Sequence, residues 1–316
     1  MSAPPSFAAD ALPRIVSLLP SATEIVCALG AEAALVGISH ECDHPAGIRD
    51  RTVLTRPRID VHAASAAIDA AVRGVIRDAL SIYAVDEQKL AALAPEVIVT
   101  QNLCEVCAVS LDDVHAAVAR LAHREQVRIV SLSPVRLADV FADIERVATA
   151  IGWPARGAEI RAGLEARISA IAGRAAQADR RPRVVTVEWI DPLMLGGTWM
   201  PELIELGGGQ PVGAAAGGPA PTIDPGRLRD LQPEVVLVKP CGFSLERTLA
   251  ERPVLERMVL AAVAPGTPIY VTDGNAFFNR PGPRLVESLE ILAACVHPRL
   301  FSDFAHRHAA VLQRLA

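Results

Sequence analysis

LAALAPEVIV at residues 90–99 and LRDLQPEVVL at residues 228–237 are two copies of one pattern. In each copy a short helical segment ends at a proline, and an apolar run rich in β-branched residues follows. A run of this kind predicts a strand that is buried on both faces of a parallel sheet. A weaker second repeat relates residues 24–30 to residues 202–207. The two repeats together predict two related lobes within one chain.

Outward from these copies, short apolar runs alternate with helical patterns along most of the chain. This alternation predicts parallel strands with helices on both faces of the sheet. Residues 137–177 differ, because they have a helical pattern throughout except for a break at Gly152-Trp153-Pro154. We therefore predict an α/β protein with two Rossmann-like lobes, each with a mainly parallel sheet, joined by a long connecting helix. The predicted boundaries are 1–136 for the first lobe, 137–180 for the connecting helical segment and 181–316 for the second lobe.

Two helix boundaries are predicted from local signals. Ser21 and Glu24 have the spacing of a capping box, which predicts a helix from Thr23 to Leu29. In the second lobe, apolar periodicity predicts one continuous helix over residues 245–263.

The composition excludes several classes of protein. Of 316 residues, 51% are hydrophobic and 21% are charged, which is typical of a folded globular chain. The net charge of −5 argues against a nucleic-acid partner. No apolar stretch is long enough to span a membrane.

The first 20 residues lack a basic segment and an unbroken apolar segment, which an export signal would have. The sequence as it stands therefore predicts a cytoplasmic protein, and a start codon further upstream would make it periplasmic. Lys89 and Lys239 are the only lysines, which we interpret as a compositional bias.

Ligands of parallel sheets bind beyond the carboxyl ends of the strands. Loops follow the predicted strands near residues 39–45, 55–58, 101–110, 189–192, 240–243 and 273–280. We therefore predict that a small-molecule ligand lies in a cleft where these loops meet. Glu188 and Asp191, at one of these loops, are interpreted either as a paired-carboxylate site or as salt bridges between the lobes.

Several of these loops carry soft metal ligands. Cys104-x-x-Cys107 places two thiols on one loop, a spacing that suits one metal ion. His40, Cys42 and Cys241 lie on other loops that are predicted to reach the same cleft. Three or four thiolates with one imidazole favour zinc or an iron–sulfur cluster. Burial of the cysteines as packing residues, and a redox dithiol at Cys104 and Cys107, are the alternatives.

From about Arg14 to Val296 the chain resembles the cobalamin and iron-siderophore family of ABC-transporter substrate-binding proteins. The resemblance is carried by RIVSLLPSATEIVCALG (14–30), LVGISHECDHP (35–45), LAALAPEVIVTQ (90–101), LMLGGTWMPELIELGGG (193–209), LQPEVVLVKPCG (231–242) and FNRPGPRLVESLEILA (278–293). It implies the class III periplasmic-binding-protein fold, in which a rigid helix joins two lobes. Residues 42–45 and 280–284 place the closest similarity in the vitamin B12-binding branch.

The resemblance implies cobalamin as the ligand and suggests which residues would line its site. Relatives that bind vitamin B12 pack aromatic rings against the corrin, and only 4% of this chain is aromatic. Arg56 and Glu41 stand where such a relative would carry Trp and Tyr. Trp189, Phe277 and Phe278 remain as apolar walls, and Arg280 is expected to point into the cleft.

The resemblance also implies an ABC permease as partner, docked through one acidic residue on each lobe. Glu87 meets that expectation on the first lobe. Gly226 stands at the matching place of the repeat on the second lobe, so the second docking charge is missing.

We interpret the chain as a binding protein rather than an enzyme. In the leading hypothesis it holds a cobalamin-like or metal-containing ligand between its lobes, with ABC-type uptake as one setting. The first alternative is a cytoplasmic metalloprotein or redox enzyme on the same fold, with a zinc or iron–sulfur centre. The second alternative is a receptor for another small ligand.

Overall fold

The computed structural model describes residues 12–77, 83–101, 111–119, 121 and 126–315. These residues form two compact units. The first unit takes the described residues of Met1–Ala63, Ala70–Pro134 and Ala138–Gly163. The second takes those of Ala64–Asp69, Val135–Leu137 and Leu164–Ala316. Each unit is built around a mainly parallel sheet covered by helices, so the predicted α/β class is confirmed.

The first half of the chain contains a five-stranded parallel sheet and a separate two-stranded pair. Its elements, in chain order, are β1 (Ile15–Ser17), α1 (Pro20–Ala28), β2 (Leu35–Ile38), β3 (Thr52–Val53), β4 (Thr55–Pro57), α2 (Ser65–Arg77), β5 (Tyr83–Val85), α3 (Glu87–Leu93), β6 (Val97–Gln101), α4 (Leu111–Ala119), β7 (Arg128–Leu132), α5 (Leu137–Ala150) and α6 (Pro154–Ala175). The strand order of the sheet is β3-β2-β1-β6-β7. Strand β6 is buried along its whole length because it lies inside the sheet and helices cover both faces.

The second half of the chain forms a sheet with strand order β10-β8-β11-β12-β13, in which β9 also pairs with β8. Its elements are β8 (Arg183–Trp189), β9 (Met194–Leu195), α7 (Met200–Leu206), β10 (Gln210–Pro211), α8 (Pro225–Asp230), β11 (Val235–Val238), α9 (Leu245–Ala250), α10 (Arg252–Met258), β12 (Ile269–Thr272), α11 (Leu285–Val296), α12 (Ser302–Arg307) and β13 (Leu312–Arg314). Strand β13 runs antiparallel to β12. All residues of α11 except Glu287 are buried, so this helix forms part of the core of the second unit.

The sequence repeat corresponds to a structural repeat. Asp86 caps α3 by accepting a hydrogen bond from the third residue of that helix, and Asp224 caps α8 in the same way. Both helices lead into an exposed residue with a left-handed backbone, Ala94 (φ 44°) and Gln232 (φ 45°). The turn that reverses the chain into the buried strand is therefore the same in both units.

A second pair of contacts fixes the start of the first strand in each unit. The backbone N–H of Arg14 donates to Glu96 Oε2 at 2.9 Å, and that of Arg183 donates to Glu234 Oε2 at 2.8 Å. The Nε of Arg14 donates to the Leu93 carbonyl at 2.8 Å, and the Nε of Arg183 donates to the Gln232 carbonyl at 2.8 Å, one position further along the repeat. In each unit, one glutamate and one arginine therefore join the turn after a short helix to the neighbouring strand.

The register of the repeat corrects one expectation. Because the caps Asp86 and Asp224 correspond, the residue after each cap also corresponds. Pro225 therefore stands opposite Glu87, and Gly226 is one position further along. Neither Pro225 nor Gly226 is acidic, so the second unit still lacks the acidic docking residue that the resemblance implies.

The capping box predicted at Ser21 and Glu24 is wrong. Helix α1 begins at Pro20, with Leu19 as N-cap and no capping side chain. Proline suits this position because its missing N–H would have no partner in the first turn. Ser21 and Glu24 are both buried within the helix instead of capping it.

The predicted helical segment after residue 137 is present as α5 and α6, with Gly152 in a left-handed conformation (φ 88°) at the predicted break. Helix α6 is continuous, and its residues up to Gly163 belong to the first unit while those from Leu164 onward belong to the second. The single helix predicted over residues 245–263 is wrong, because the structure divides it into α9, α10 and a short 3₁₀ turn. Pro253, in the first turn of α10, cannot continue the hydrogen bonding of α9.

Arginines two turns apart fix the second half of α6 to the C-terminal helices. Arg167 donates to Glu287 Oε1 at 2.9 Å and to Glu290 Oε1 at 3.3 Å. Arg174 donates to Asp303 Oδ1 at 2.6 Å. Because the spacing is seven residues, both arginines lie on one face of the helix.

Glu290 is the buried acceptor of this group of charges, with 4% of its surface exposed. Its Oε2 lies 2.8 Å from Arg307 Nη1 and 2.8 Å from His308 Nε2. Burial alone would raise the pKa of Glu290, but the hydrogen bonds from His308, Arg307 and Arg167 lower it. The carboxylate is therefore held in its charged form.

We also compared the length and hydropathy of the helices with those of a membrane-spanning segment. Among the residues that the structure describes, no helix meets both requirements.

The left-handed residues give a stability prediction. We expect Ala94→Gly and Gln232→Gly each to raise the free energy of unfolding by up to about 1 kcal/mol, because glycine adopts this conformation without a Cβ penalty. Ala92→Gly, at an exposed position in the last turn of α3, is the matched control and should lower it by up to about 1 kcal/mol. Urea unfolding followed by circular dichroism measures all three variants. A loss of stability in both turn variants would contradict the backbone assignment.

Candidate functional site

The predicted site residues of the first unit follow the ends of its strands. Ser39, His40, Glu41 and Cys42 come directly after β2, and Arg56 lies in β4. This is the carboxyl edge of the parallel sheet, where ligands of such sheets bind.

His40 is half-buried and is fixed through Thr55, the first residue of β4. The His40 backbone N–H donates to Thr55 Oγ1 at 3.0 Å, and its ring Nδ1 lies 2.7 Å from the same oxygen. Thr55 Oγ1 also lies 3.0 Å from Ser39 Oγ, so the hydroxyl is able to accept both bonds from His40 and donate to Ser39. Burial lowers the pKa of His40, which favours the neutral imidazole.

In the tautomer whose Nδ1 donates to Thr55, the ring nitrogen Nε2 keeps its lone pair. When Nδ1 carries the proton and donates it to Thr55, Nε2 is the unprotonated nitrogen. Within the described ranges, Nε2 of His40 makes no hydrogen bond. A neutral imidazole whose other nitrogen is held by a hydrogen bond is the usual form of a histidine that binds a metal ion.

Tyr83 connects His40 to Glu41. Its hydroxyl donates to Glu41 Oε1 at 2.7 Å, and its ring meets the His40 imidazole edge-on with centroids 5.0 Å apart. Tyr83 reaches this position because β5 pairs antiparallel with β4 and not with the main sheet. Arg56 lies on the same pair of strands and is exposed.

Cys42 is a packing residue in this structure. Only 2% of its surface is exposed, and its Sγ lies 3.0 Å from Thr23 Oγ1 in α1. Thr23 in turn donates to Ser17 Oγ at 2.8 Å. His40 and Cys42, predicted as joint metal ligands, therefore have different hydrogen-bonding partners.

The second unit places a lysine inside the carboxyl edge of its sheet. Lys239 directly follows β11 and has no exposed surface. Its Nζ donates to Glu188 Oε2 at 3.0 Å and to Asn279 Oδ1 at 2.8 Å. The Asn279 amide donates to the carbonyl oxygens of Lys239 at 3.0 Å and Gly274 at 2.8 Å. One ammonium group thus joins the ends of β8 and β11 to the loop after β12.

Gly274 makes this close packing feasible. A Cβ atom at this position would overlap the carbonyl oxygen of Pro240 and the carbonyl carbon of Lys239. The loop after β12 therefore approaches the loop after β11 more closely than any other residue type would allow.

Aromatic and cationic groups surround this edge. The rings of Trp189 and Phe243 meet edge-on with centroids 5.1 Å apart, and the Arg247 guanidinium lies 4.5 Å from the Phe243 centroid. The Arg284 guanidinium lies 5.4 Å from the centroid of Phe277. Trp189 and Phe277, both predicted ligand walls, are thus half-buried residues at the edge of the second sheet.

The other two predicted residues of this unit differ in exposure. Arg280 is 6% exposed and donates to Asn275 Oδ1 at 3.0 Å. Cys241 is half-buried, and its backbone N–H donates to the Glu188 carbonyl at 3.0 Å.

The expectation of interlobe salt bridges at Glu188 and Asp191 is wrong. Glu188 binds Lys239, and Asp191 lies 3.1 Å from Arg257. Both ion pairs are internal to the second unit.

The described residues do not support the predicted metal centre. Across the ranges covered by the structure, no group of three or more His, Cys, Asp and Glu side chains is placed to hold a metal ion. Cys104 and Cys107 lie outside the described residues.

Comparison with known proteins decides the family. Residues 15–267 match the family model described as periplasmic binding protein. The chain belongs to this family. The suspected family is thereby confirmed, and with it the substrate-binding class of ABC-transporter proteins. No curated protein sequence matches this periplasmic binding protein.

Solved structures of similar fold cover nearly the whole chain. A periplasmic heme-binding protein from Pseudomonas aeruginosa is 19% identical with a TM-score of 0.67, over 92% of this chain and 94% of that chain. One from a Roseiflexus species is 20% identical with a TM-score of 0.63, over 93% and 100%. The periplasmic vitamin B12 binding protein of Vibrio cholerae is 18% identical with a TM-score of 0.59, over 93% and 98%. At these identities the likeness concerns the fold alone.

Sequence reasoning missed Thr55, Tyr83, Lys239 and Asn279. Lys239 carried a usable signal, since it is one of only two lysines and directly follows an apolar strand. Our interpretation of the lysines as a compositional bias overlooked that position. Tyr83, one of two tyrosines, gave no signal because the pairing of β5 with β4 is not predictable from either segment.

The two lysines make a matched pair for mutation. We expect Lys239→Ala to lower the free energy of unfolding by about 2–5 kcal/mol, because it empties a buried site and leaves Glu188 without its cation. Lys89 is 55% exposed and pairs with Asp86 at the surface. Lys89→Ala should therefore change stability by less than about 0.5 kcal/mol.

Urea unfolding measures both lysine variants, and amine acylation of the folded protein adds an independent check. The reagent should modify Lys89 and leave Lys239 unmodified until the protein unfolds. Rapid acylation of Lys239 in the native state would contradict its burial.

Proposed function

We propose that this periplasmic binding protein binds a metal-containing macrocycle of the heme or corrinoid type, and that His40 coordinates the metal axially. The family is one of substrate-binding proteins. Proteins of the same fold include ones described as heme-binding and as vitamin B12 binding. These descriptions support the ligand class, and a residue of this chain supplies the chemical argument.

The observation that carries the proposal is the state of His40. The metal of a heme or corrinoid takes ligands above and below the plane of the ring, and neutral imidazole is a common ligand at these positions. Nδ1 of His40 is held by Thr55 at 2.7 Å, and burial lowers the pKa of the ring. Nε2 is thus the nitrogen available for coordination at the carboxyl edge of the first sheet.

The neighbours of His40 orient its ring. Thr55 holds Nδ1, and the Tyr83 ring packs edge-on against the imidazole. Tyr83 is itself held by Glu41 through its hydroxyl. A ring that is fixed from two sides loses little rotational freedom when it binds a metal. Glu41 and Arg56 in this unit, with Trp189, Phe277 and Arg280 in the second, remain the proposed ligand contacts.

Uptake through an ABC permease is part of the proposal and rests on family membership. Glu87 is exposed in the first turn of α3 and offers the docking charge of the first unit. Pro225 and Gly226 offer none at the start of α8. We therefore propose that docking depends mainly on the first unit.

Coordination by His40 is tested by titration with hemin and with aquacobalamin, followed by visible absorption. We expect wild-type protein to give the spectrum of a nitrogen-ligated metal with at least one of the two. His40→Ala should remove that spectrum and weaken binding about ten-fold or more, because the axial bond is lost. His62→Ala is the matched control, since His62 is exposed in the same unit.

The outcomes separate two claims. If wild-type protein binds neither probe, the proposed ligand class is wrong. If His40→Ala binds as tightly as wild type with the same spectrum, the ligand class stands and axial coordination by His40 is contradicted.

Thr55→Val gives a finer prediction. Valine keeps the shape of threonine and removes the hydroxyl that holds Nδ1 of His40. We expect the coordinated spectrum to persist with affinity about ten-fold lower, since partners of metal-binding histidines have effects of this size. An unchanged affinity would show that Thr55 does not orient the ligand nitrogen.

A further inference from the structure

Glu188 has a carboxylate at the edge of the second sheet that accepts only one hydrogen bond among the described residues. It is the penultimate residue of β8, and 28% of its side chain is exposed. Lys239 Nζ donates to Oε2 at 3.0 Å. In the part of the chain that the structure describes, no other side chain or backbone donor reaches the carboxylate.

A carboxylate accepts about four hydrogen bonds, so Glu188 has unused acceptor capacity toward solvent. Neighbouring charges do not take up this capacity. Asp191 has its own cation, Arg257, at 3.1 Å. Arg280, expected to point into the cleft, is buried and donates to Asn275.

Lys239, the partner of Glu188, is not free to move toward a ligand. Lys239 has no exposed surface, and its Nζ is also bound to Asn279 Oδ1 at 2.8 Å. Asn279 is fixed by its bonds to the carbonyl oxygens of Lys239 and Gly274. The ion pair is therefore preorganised, with the cation on its buried side and the acceptor on its exposed side.

A fixed carboxylate of this kind discriminates between ligand groups. It attracts N–H and O–H donors, and it repels carboxylates that approach within a few ångströms. Metal macrocycles fall into two classes by their side groups, because some carry primary amides and others carry free carboxylates. The amides donate hydrogen bonds and the carboxylates only accept them.

We propose that Glu188 is a specificity-determining residue that selects macrocycles with amide side groups over macrocycles with carboxylate side groups, and that Lys239 positions it. This inference rests on the proposed function, because it names the side-group chemistry of the macrocycle that is bound. Glu188 acts by direct contact with the ligand, whereas Lys239 acts through Glu188.

The test compares two probes with the same ring and metal. Diaquacobinamide carries amide side groups, and diaquacobyrinic acid carries carboxylates at the corresponding positions. The axial water on the cobalt of each probe can be replaced by the His40 imidazole. We expect full-length wild-type protein to bind the amide probe at least about ten-fold more tightly at pH 7, measured by calorimetry. Glu188→Gln should reduce that ratio to near one, since an amide accepts and donates without charge.

Asp191→Asn is the matched control, because it removes one carboxylate from the same loop where the carboxylate is already paired with Arg257. It should leave the ratio of affinities unchanged. Lys239→Met should also lose the selectivity, because Glu188 would no longer be held in place. Circular dichroism confirms folding of each variant, and the wild-type ratio tests the inference even if a variant does not fold.

The outcomes distinguish this inference from the proposed function. If neither probe nor hemin binds, the proposed function fails and the inference fails with it. If the probes bind with a ratio that Glu188→Gln leaves unchanged, or if wild-type protein prefers the carboxylate probe, the inference is overturned while the proposed function stands. A ratio that collapses in Glu188→Gln and persists in Asp191→Asn supports it.

Discussion

The edge of the second sheet depends on one buried ammonium group. Lys239 has no exposed surface, so protein atoms must replace the water that would otherwise solvate its charge. Glu188 and Asn279 do so from two different segments of the chain. The ends of β8 and β11 and the loop after β12 are consequently held together at Lys239. Gly274 allows the loop after β12 to approach the loop after β11 closely.

The two units use the same scaffold to present different chemistry. In both, a capped helix and a left-handed turn precede the buried strand, and a glutamate binds the backbone of the neighbouring strand. At the carboxyl edge, however, the first unit presents an imidazole held by the hydroxyl of Thr55. The second presents the ion pair between Glu188 and Lys239. Repetition of the backbone therefore did not require repetition of the edge groups.

Features that depend on residues close together in the sequence could be predicted, and features that depend on distant partners could not. Strand β6 was predictable because burial on both faces requires an unbroken apolar run, and the break at Gly152 was predictable from local backbone preferences. Tyr83 and Lys239 were not recognised, because their roles depend on partners that are distant in sequence. The start of α1 was mispredicted because a correct spacing of Ser21 and Glu24 does not ensure that either side chain is free to cap.

The arginines of α6 have a consequence for how the second unit unfolds. Arg167 and Arg174 bind carboxylates on α11 and α12, which come from the last part of the chain. Separating the C-terminal helices from α6 therefore breaks the ion pairs of both arginines at once, including the one to the buried Glu290. Residues beyond 267, where the family match ends, thus belong to the same compact unit as the second half of α6 and are tied to it by charge.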